Sequence, residues 1–381
     1  MQTRKLYYED CHIKEFSARV CACNAADGGF SVILDATAFY PEGGGQACDL
    51  GRLGNVQVLD VQEQGDEIVH LCDGPLEVGC TVTGILDWER RFDLMQQHTG
   101  EHILSGLIHK AFGYHNTGFH VGARVMEVDF DGVIPADALA KLELQANRAL
   151  WENMPVLCSI PSAEELPHIS YRTKRQLPWP VRLVQIPGYD SCACCGVHTA
   201  TTGEVGILKI ISCTKLRQGV RLEVVCGGRA YEYLTAVFEQ NKQVSQSFSA
   251  KPLETGAAAE KANEALAAEK YRSAGLQNQI IELLAERYVN QNNVICFQEN
   301  LSGAQLRLLT EKIAEACQGY AAVFSGSDGN YSYCIAENTD SPRLGQAMND
   351  ALGGRGGGKG IFRQGTVPAT KAQIESFFQS I

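Results

Sequence analysis

Asp87-Trp88-Glu89-Arg90-Arg91 marks the place where the sequence changes its period. Before it, apolar residues alternate or run in short stretches, as in Val56-Gln57-Val58-Leu59-Asp60-Val61 and Glu67-Ile68-Val69-His70-Leu71. Asp27-Gly28-Gly29, Asp49-Leu50-Gly51 and Asp73-Gly74-Pro75 punctuate them as turns. Short strands at that spacing predict a β-rich, barrel-like or sandwich unit over residues 1–90. After the change, Leu94, Ile103, Leu104, Leu107 and Ile108 recur at helical spacing, and Gly113 is the expected stop. A second helix is expected after Pro135, carried by Leu139, Leu142, Ala146 and Leu150, then mixed strands and turns to about Gly228.

Further out, stretches rich in alanine, glutamate and lysine between Ala257 and Arg287 predict an extended helix or helical hairpin. Leu266, Leu276, Ile280, Leu283 and Leu284 would form its apolar stripe. The remainder reads as a small α/β unit. It has a strand at Val294–Phe297, an amphipathic helix from Leu301 to Cys317, and a strand pair at Tyr320–Phe324 and Tyr331–Ile335. A glycine cluster, Gly353 to Gly360, precedes a final helix. The expected fold class is α+β in four parts: a barrel-like 1–90, a mixed 91–230, a helical connector 231–291 and an α/β end 292–381. A length of 381 residues fits several domains.

Lys+Arg number 33 against 44 Asp+Glu, a formal charge of −11, which excludes nucleic-acid binding through bulk charge and requires a local basic surface. No window approaches the roughly 18 apolar residues of a membrane span, and residues 1–10 lack the apolar core of a signal peptide. A cytoplasmic location is expected. The 15 cysteines then read as thiols, metal ligands or core residues.

Three stretches can carry chemistry. In His98-Thr99-Gly100-Glu101-His102, two histidines four apart on a helix face the same side and can reach one metal ion. In Cys192-Ala193-Cys194-Cys195-Gly196-Val197-His198, Cys194 and His198 stand four apart. Together the pairs supply a tetrahedral set of one thiolate and three imidazoles, a combination that suits zinc, with Cys192 and Cys195 as rivals to Cys194. Surface histidines and buried structural thiols are the plainer explanation of each pair alone. In Phe39-Tyr40-Pro41-Glu42-Gly43-Gly44-Gly45-Gln46, three missing Cβ atoms would let a ribose or substrate backbone approach main-chain N–H groups, and Gln46 adds a donor and an acceptor. A flexible turn is the ordinary meaning of such a run.

In order and wording these stretches resemble the editing domain of alanyl-tRNA synthetase and its freestanding AlaX-type relatives. The likeness runs from Phe39–Gln46 with Asp49 and Gly51, through Asp87, Arg91, His98-Thr99, His102-Ile103-Leu104 and Phe119-His120, to Cys194, Gly196, His198 and Gly203-Glu204-Val205-Gly206. The cluster Leu352-Gly353-Gly354-Arg355-Gly356-Gly357-Gly358-Lys359-Gly360 resembles the glycine-rich end of the same proteins. No aminoacylation domain precedes the editing region, so a freestanding protein is expected. One departure stands out. The family's Cys-Gly-Gly-Thr-His reads Cys194-Cys195-Gly196-Val197-His198 here, adding a thiol and removing a hydroxyl.

The resemblance implies an aminoacyl-tRNA deacylase that removes serine or glycine from tRNA(Ala), with one zinc per chain. It implies His98, His102, Cys194 and His198 as ligands, and Gly43, Gly44, Gly45 and Gln46 at the terminal adenosine. Thr37 would sense the serine hydroxyl, and His120 would line the pocket. Arg90, Arg91, Arg172, Lys174 and Arg175 are candidate phosphate contacts, with a solvated basic face as the plainer alternative. Residues 292–381 would serve tRNA engagement or a homodimer contact.

Two other readings stay open. Four protein ligands close a zinc site, as in a structural RNA-binding module. His98-Thr99-Gly100-Glu101-His102 also fits the H-x-x-E-H pattern of zinc peptidases, with Glu101 as base. A phosphate-loop reading of Gly353–Lys359 fails on paper, because Gly360 stands where Ser or Thr should hold Mg²⁺. ATP binding is therefore not expected.

Overall fold

The computed structural model describes residues 2–173, 177–339 and 343–381. The chain forms two compact units, Met1–Gln243 and Val244–Ile381.

In the first unit six strands pair in a ring. The order is Glu15–Ala26, Gly29–Leu34, Glu67–Cys72, Val56–Gln64, Gly51–Leu53 and Thr81–Leu86, which closes back on the first. The alternation seen in the sequence supplies the inner face: Phe16, Val20, Val32, Leu34, Val58, Ile68, Val82 and Leu86 form one buried cluster. Gly84 pairs with Phe16, and a Cβ there would sit 2.4 Å from the Phe16 ring, so this glycine makes room for the aromatic.

Helix α1, Trp88–Phe112, begins where the period changes. The Asp87 side chain caps it by accepting from the Arg90 amide, and Gly113 ends it at φ +72. Most of α1 is buried, because it is wrapped by other elements. Ile103, Leu104 and Ile108 pack with Met126, Val128, Phe130, Leu222 and Val224 of a four-stranded sheet. Leu142, Ala146 and Leu150 of α2, Ala136–Trp151, join that cluster, and α2 starts directly after Pro135. Asn147 of α2 holds both the amide and the carbonyl of Leu208, at 3.0 and 2.8 Å. A three-stranded sheet, Leu157–Ser159, Leu183–Ile186 and Asp190–Ala193, leads into the Cys194–His198 loop. The regions 1–90 and 91–230 fall within one compact unit, tied by the buried Arg91–Asp49 ion pair.

Two long helices follow, α3 at Gly227–Ser247 and α4 at Thr255–Glu286. The expected stripe of α4 is corrected. Leu266, Leu276, Ile280 and Leu283 are exposed, whereas Ile281 and Ala285 are buried, with Leu284 packed against their cluster. The cluster also takes in Leu306, Leu309 and Ile313 of α5, Gly303–Ala316. The end of the expected connector is thus part of the second unit's core.

That unit holds a five-stranded sheet in the order Val294–Gln298, Ala321–Ser327, Asn330–Ala336, Phe362–Val367, Arg355–Gly357. Ser302 with Gln305 forms a capping box on α5, and Thr370 with Gln373 forms one on α7, Lys371–Gln379. Between them lies α6, Leu344–Leu352. The glycine cluster forms an edge hairpin, with Arg355–Gly357 paired to the strand Phe362–Val367. A Cβ on Gly356 would lie 2.3 Å from the Gln364 carbonyl and 2.6 Å from the Tyr333 hydroxyl, so close backbone packing requires glycine there. Among the described residues no helix is long and apolar enough to cross a membrane.

Candidate metal centre

His98 and His102 lie one helical turn apart on α1, and Cys194 and His198 lie on the loop after Asp190–Ala193. The fold brings the four side chains together, with ligand atoms all within 4.8 Å of one another. Cys194 Sγ is 3.4 Å from His98 Nε2 and 3.5 Å from His198 Nε2. Cys195 falls outside this group, and Cys192 falls in a second cluster with His102 and Asp190.

Each imidazole is held from behind. His98 Nδ1 lies 2.8 Å from Gln46 Oε1, so it carries the proton and donates it. His102 Nδ1 lies 2.9 Å from Asp190 Oδ2, and Arg172 in turn donates to both Asp190 oxygens at 2.6 and 2.8 Å. His198 Nδ1 lies 3.3 Å from Thr99 Oγ1. Holding Nδ1 leaves each Nε2 turned to the common centre, as metal-binding histidines require. Burial would raise the Cys194 thiol, but His98, His102 and His198 outweigh it and hold the thiol well below its ordinary value. Burial disfavours charge on His102, yet Asp190 and Cys194 hold it well above the ordinary value. Burial and the neighbouring His98 push His198 down.

The glycine turn stands beside this cluster. Gly43 and Gln46 exchange both backbone hydrogen bonds at 3.0 Å, and Gly44 and Gly45 have φ of +60° and +85°, a type I′ turn. A Cβ on Gly45 would meet the Phe119 ring at 2.6 Å, so the protein's own packing already demands glycine there. Phe119 tilts over His98 with centroids 5.0 Å apart. Gly196 is equally constrained, since a Cβ there would lie 2.2 Å from His98 Cε1. Gln46 Oε1 also accepts from the Val197 amide at 3.3 Å, and Gln46 Nε2 is buried without a hydrogen-bond partner.

Several expected contacts are engaged by other groups of the protein. Arg91 is fully buried. Its guanidinium pairs with Asp49 and donates to the Ala38 carbonyl, while Asp49 accepts from the Tyr40 amide, so Arg91 clamps the segment that carries the glycine turn and cannot reach a phosphate. Arg172 is committed to Asp190. Arg90 is half-buried and donates to the Cys48 carbonyl at 3.1 Å. Lys174 and Arg175 lie outside the described residues. His120 is exposed, and it is its strand neighbour Phe119 that meets the cluster. Thr37 is buried, with its oxygen 2.9 Å from His70 Nε2, and it accepts from the Phe39 amide at 3.1 Å. Glu101 is buried and bonded to Ser105 and to Asn116, the latter at 2.6 Å.

Sequence reading named Thr99 and Phe119 only within the family likeness, without a role, and missed Asp190. Thr99 was within reach, being three residues before His102 on the same helix. Nothing local links Asp190 to His102, 88 residues away.

The chain is similar to known proteins in two regions of this unit and along its length. A family model described as "tRNA synthetases class II (A)" matches residues 3–90, and the "Threonyl and Alanyl tRNA synthetase second additional domain" matches residues 181–222. An alanine–tRNA ligase of Ignicoccus hospitalis is 39% identical over 66% of this chain and 29% of the ligase. The alanyl-tRNA editing protein Aarsd1 of Danio rerio is 32% identical over 62% of this chain and 61% of that protein. The chain thus spans less than two thirds of either relative's length. The alanyl-tRNA editing protein AlaX-L of Pyrococcus horikoshii is 28% identical over 97% of this chain and 96% of its own length. Matches across both the barrel and the Cys/His loop, and along the whole of an editing protein, lead to one conclusion: the chain is similar to the alanyl-tRNA editing proteins.

Proposed function

We propose that this chain is a trans-editing deacylase that hydrolyses the ester joining serine or glycine to tRNA(Ala), at a zinc ion held by His98, His102, Cys194 and His198. The observation that carries the reading is the four-donor cluster wired to the glycine turn through Gln46. The donor spacing suits zinc. Bonds of about 2.0–2.1 Å to nitrogen and about 2.3 Å to sulfur at a tetrahedral angle place N and S about 3.5 Å apart, close to the 3.4 and 3.5 Å found. With zinc held by these four residues, the site would have Lewis-acid chemistry available at the ester carbonyl.

The chain's own groups do the rest. Gln46 orients His98 and keeps an uncommitted amide N–H₂ for a substrate oxygen. Gly43, Gly44 and Gly45 keep the turn low beside Phe119, leaving room for the terminal adenosine. Thr37 donates its proton to His70 and accepts from Phe39, which leaves one lone pair to accept a serine hydroxyl. Bound alanine would leave that acceptor unpaired, which separates serine from alanine where size alone separates them poorly. Residues 292–381, with exposed Arg355 and Lys359, would engage tRNA or a second chain.

Deacylation of Ser-, Gly- and Ala-charged tRNA(Ala), with and without a chelator, tests this. Multiple turnovers by substoichiometric protein are expected for the misacylated substrates and not for Ala-tRNA(Ala). Stoichiometric binding without turnover would favour a zinc-stabilised RNA-binding module. The peptidase reading is weakened because the Glu101 carboxylate is engaged by Ser105 and Asn116.

A further inference from the structure

All three carbonyl oxygens of Cys194, Cys195 and Gly196 are held by side chains from outside the loop. Arg182 Nη1 donates to the carbonyls of Cys194 and Gly196, both at 2.9 Å. The Tyr8 hydroxyl donates to the Cys195 carbonyl at 2.7 Å. These two donors also brace each other, since the Arg182 guanidinium lies over the Tyr8 ring, 4.4 Å from its centroid. Tyr8 comes from the short helical turn Leu6–Tyr8, 187 residues before Cys195 in the chain.

A trans peptide is planar, so its C=O and N–H point in opposite directions, and fixing one aims the other. The loop follows this rule peptide by peptide. Tyr8 holds the Cys195 carbonyl, and the amide on the other side of that peptide, Gly196 N–H, donates to Cys194 Sγ at 3.3 Å. Arg182 holds the Gly196 carbonyl, and the amide of that peptide, Val197 N–H, donates to Gln46 Oε1 at 3.3 Å. The Cys194 amide is itself anchored on the Arg182 carbonyl at 3.1 Å.

We infer that Arg182 and Tyr8 are positioning residues for the metal centre: by pulling the loop carbonyls outward they turn its amides onto the Cys194 sulfur and Gln46, and so set the geometry in which Cys194 and His198 bind metal. This rests on the metal-site reading above. Neither residue touches the four donors' ligand atoms, so their effect travels through peptide orientation.

The test uses the full chain and two conservative variants. Tyr8→Phe removes the hydroxyl and keeps the ring under the guanidinium. Arg182→Lys keeps the charge but loses the planar fork that spans two carbonyls. Zinc affinity is read by competition against a chelating dye, and cobalt(II) substitution reads the thiolate-to-metal absorption band, with Cys194→Ala as the metal-free reference. Zinc affinity should fall about tenfold or more in Tyr8→Phe and up to about a hundredfold in Arg182→Lys. The cobalt band should shift in both, with circular dichroism and melting temperature close to wild type. Wild-type affinity and an unshifted band in both variants overturn the inference alone. A wild-type chain that takes up neither zinc nor cobalt overturns both the metal reading and the inference built on it.

Discussion

The two units solve the same packing problem with different interiors. Of the twenty buried polar or charged side chains among the described residues, seventeen lie in Met1–Gln243. The other three, Thr310, Ser325 and Asn349, lie in Val244–Ile381. All nine histidines also belong to the first unit. Buried polar groups are unfavourable unless paired. In the first unit several of them are paired in chains that end at the proposed metal, Gln46 on His98 and Thr99 on His198, and the half-buried Arg172 and Asp190 stand behind His102. The second unit is held by apolar clusters on its sheet. The comparison teaches where chemistry is concentrated, and it can be broken by experiment.

The largest expected effect is loss of metal. His102→Ala or Cys194→Ala should abolish zinc uptake and lower deacylation by about a hundredfold or more, whereas a chain ending at Gln243 should keep zinc and still hydrolyse a minimal charged acceptor mimic. Elemental analysis beside the assay decides it; a folded, zinc-loaded but inert truncated chain would sink the division of roles. Full zinc in Cys194→Ala, with Cys195→Ala emptied, would reassign the thiolate.

Next comes the wiring behind the donors. Gln46→Leu should weaken zinc binding or turnover by about 10–100-fold, because His98 loses the acceptor that fixes its orientation. Asn349→Leu in the second unit strands the Tyr333 hydroxyl and should cost about 1–3 kcal/mol of stability without touching zinc. Equal effects of the two substitutions on zinc affinity would erase the contrast between the interiors.

The histidine asymmetry gives a pH prediction. Burial pushes His70 down to about 4, against an ordinary value near 6.5. Between those values the unfolded chain binds the extra proton, so stability should fall as pH drops from about 6.5 to about 4, by about 3 kcal/mol from this group. Urea unfolding of His70→Gln should show a shallower pH slope than wild type over that window. The second unit has no histidine and should show no such component.

A smaller effect is expected at Thr37. Thr37→Val should lower the Ser/Ala rate ratio about five- to hundredfold. It should also destabilise the barrel by about 1–3 kcal/mol, since His70 loses its donor. Thr37→Ser, which keeps the hydroxyl, should restore both. An unchanged ratio in Thr37→Val means that another group reads the serine hydroxyl. Smallest of all, Arg355→Gln with Lys359→Gln should leave turnover of the acceptor mimic intact and reduce the salt dependence of full-length tRNA binding by up to about two phosphate contacts. An unchanged salt slope would remove these residues from the tRNA interface.

Several element boundaries and the spacing of the proposed donors are legible in local sequence. Asp87 and Gly113 bound α1, α2 begins after Pro135, and His98/His102 and Cys194/His198 carry their spacing in plain view, because caps and periodicity depend on neighbours one to four residues away. The likeness to the editing family was legible for the same reason, being written in short contiguous motifs. Tertiary structure alone decided what each buried polar group pairs with. Arg91 reads as a phosphate contact until Asp49, 42 positions earlier, is packed against it. Asp190, Arg182 and Tyr8 carry no local signal: Asp190 meets His102 and Arg172, and Arg182 and Tyr8 converge on the Cys194–Gly196 carbonyls, only in the fold. A buried donor or acceptor must find a partner, but which one it finds is set by how distant segments pack, and no local pattern encodes that choice.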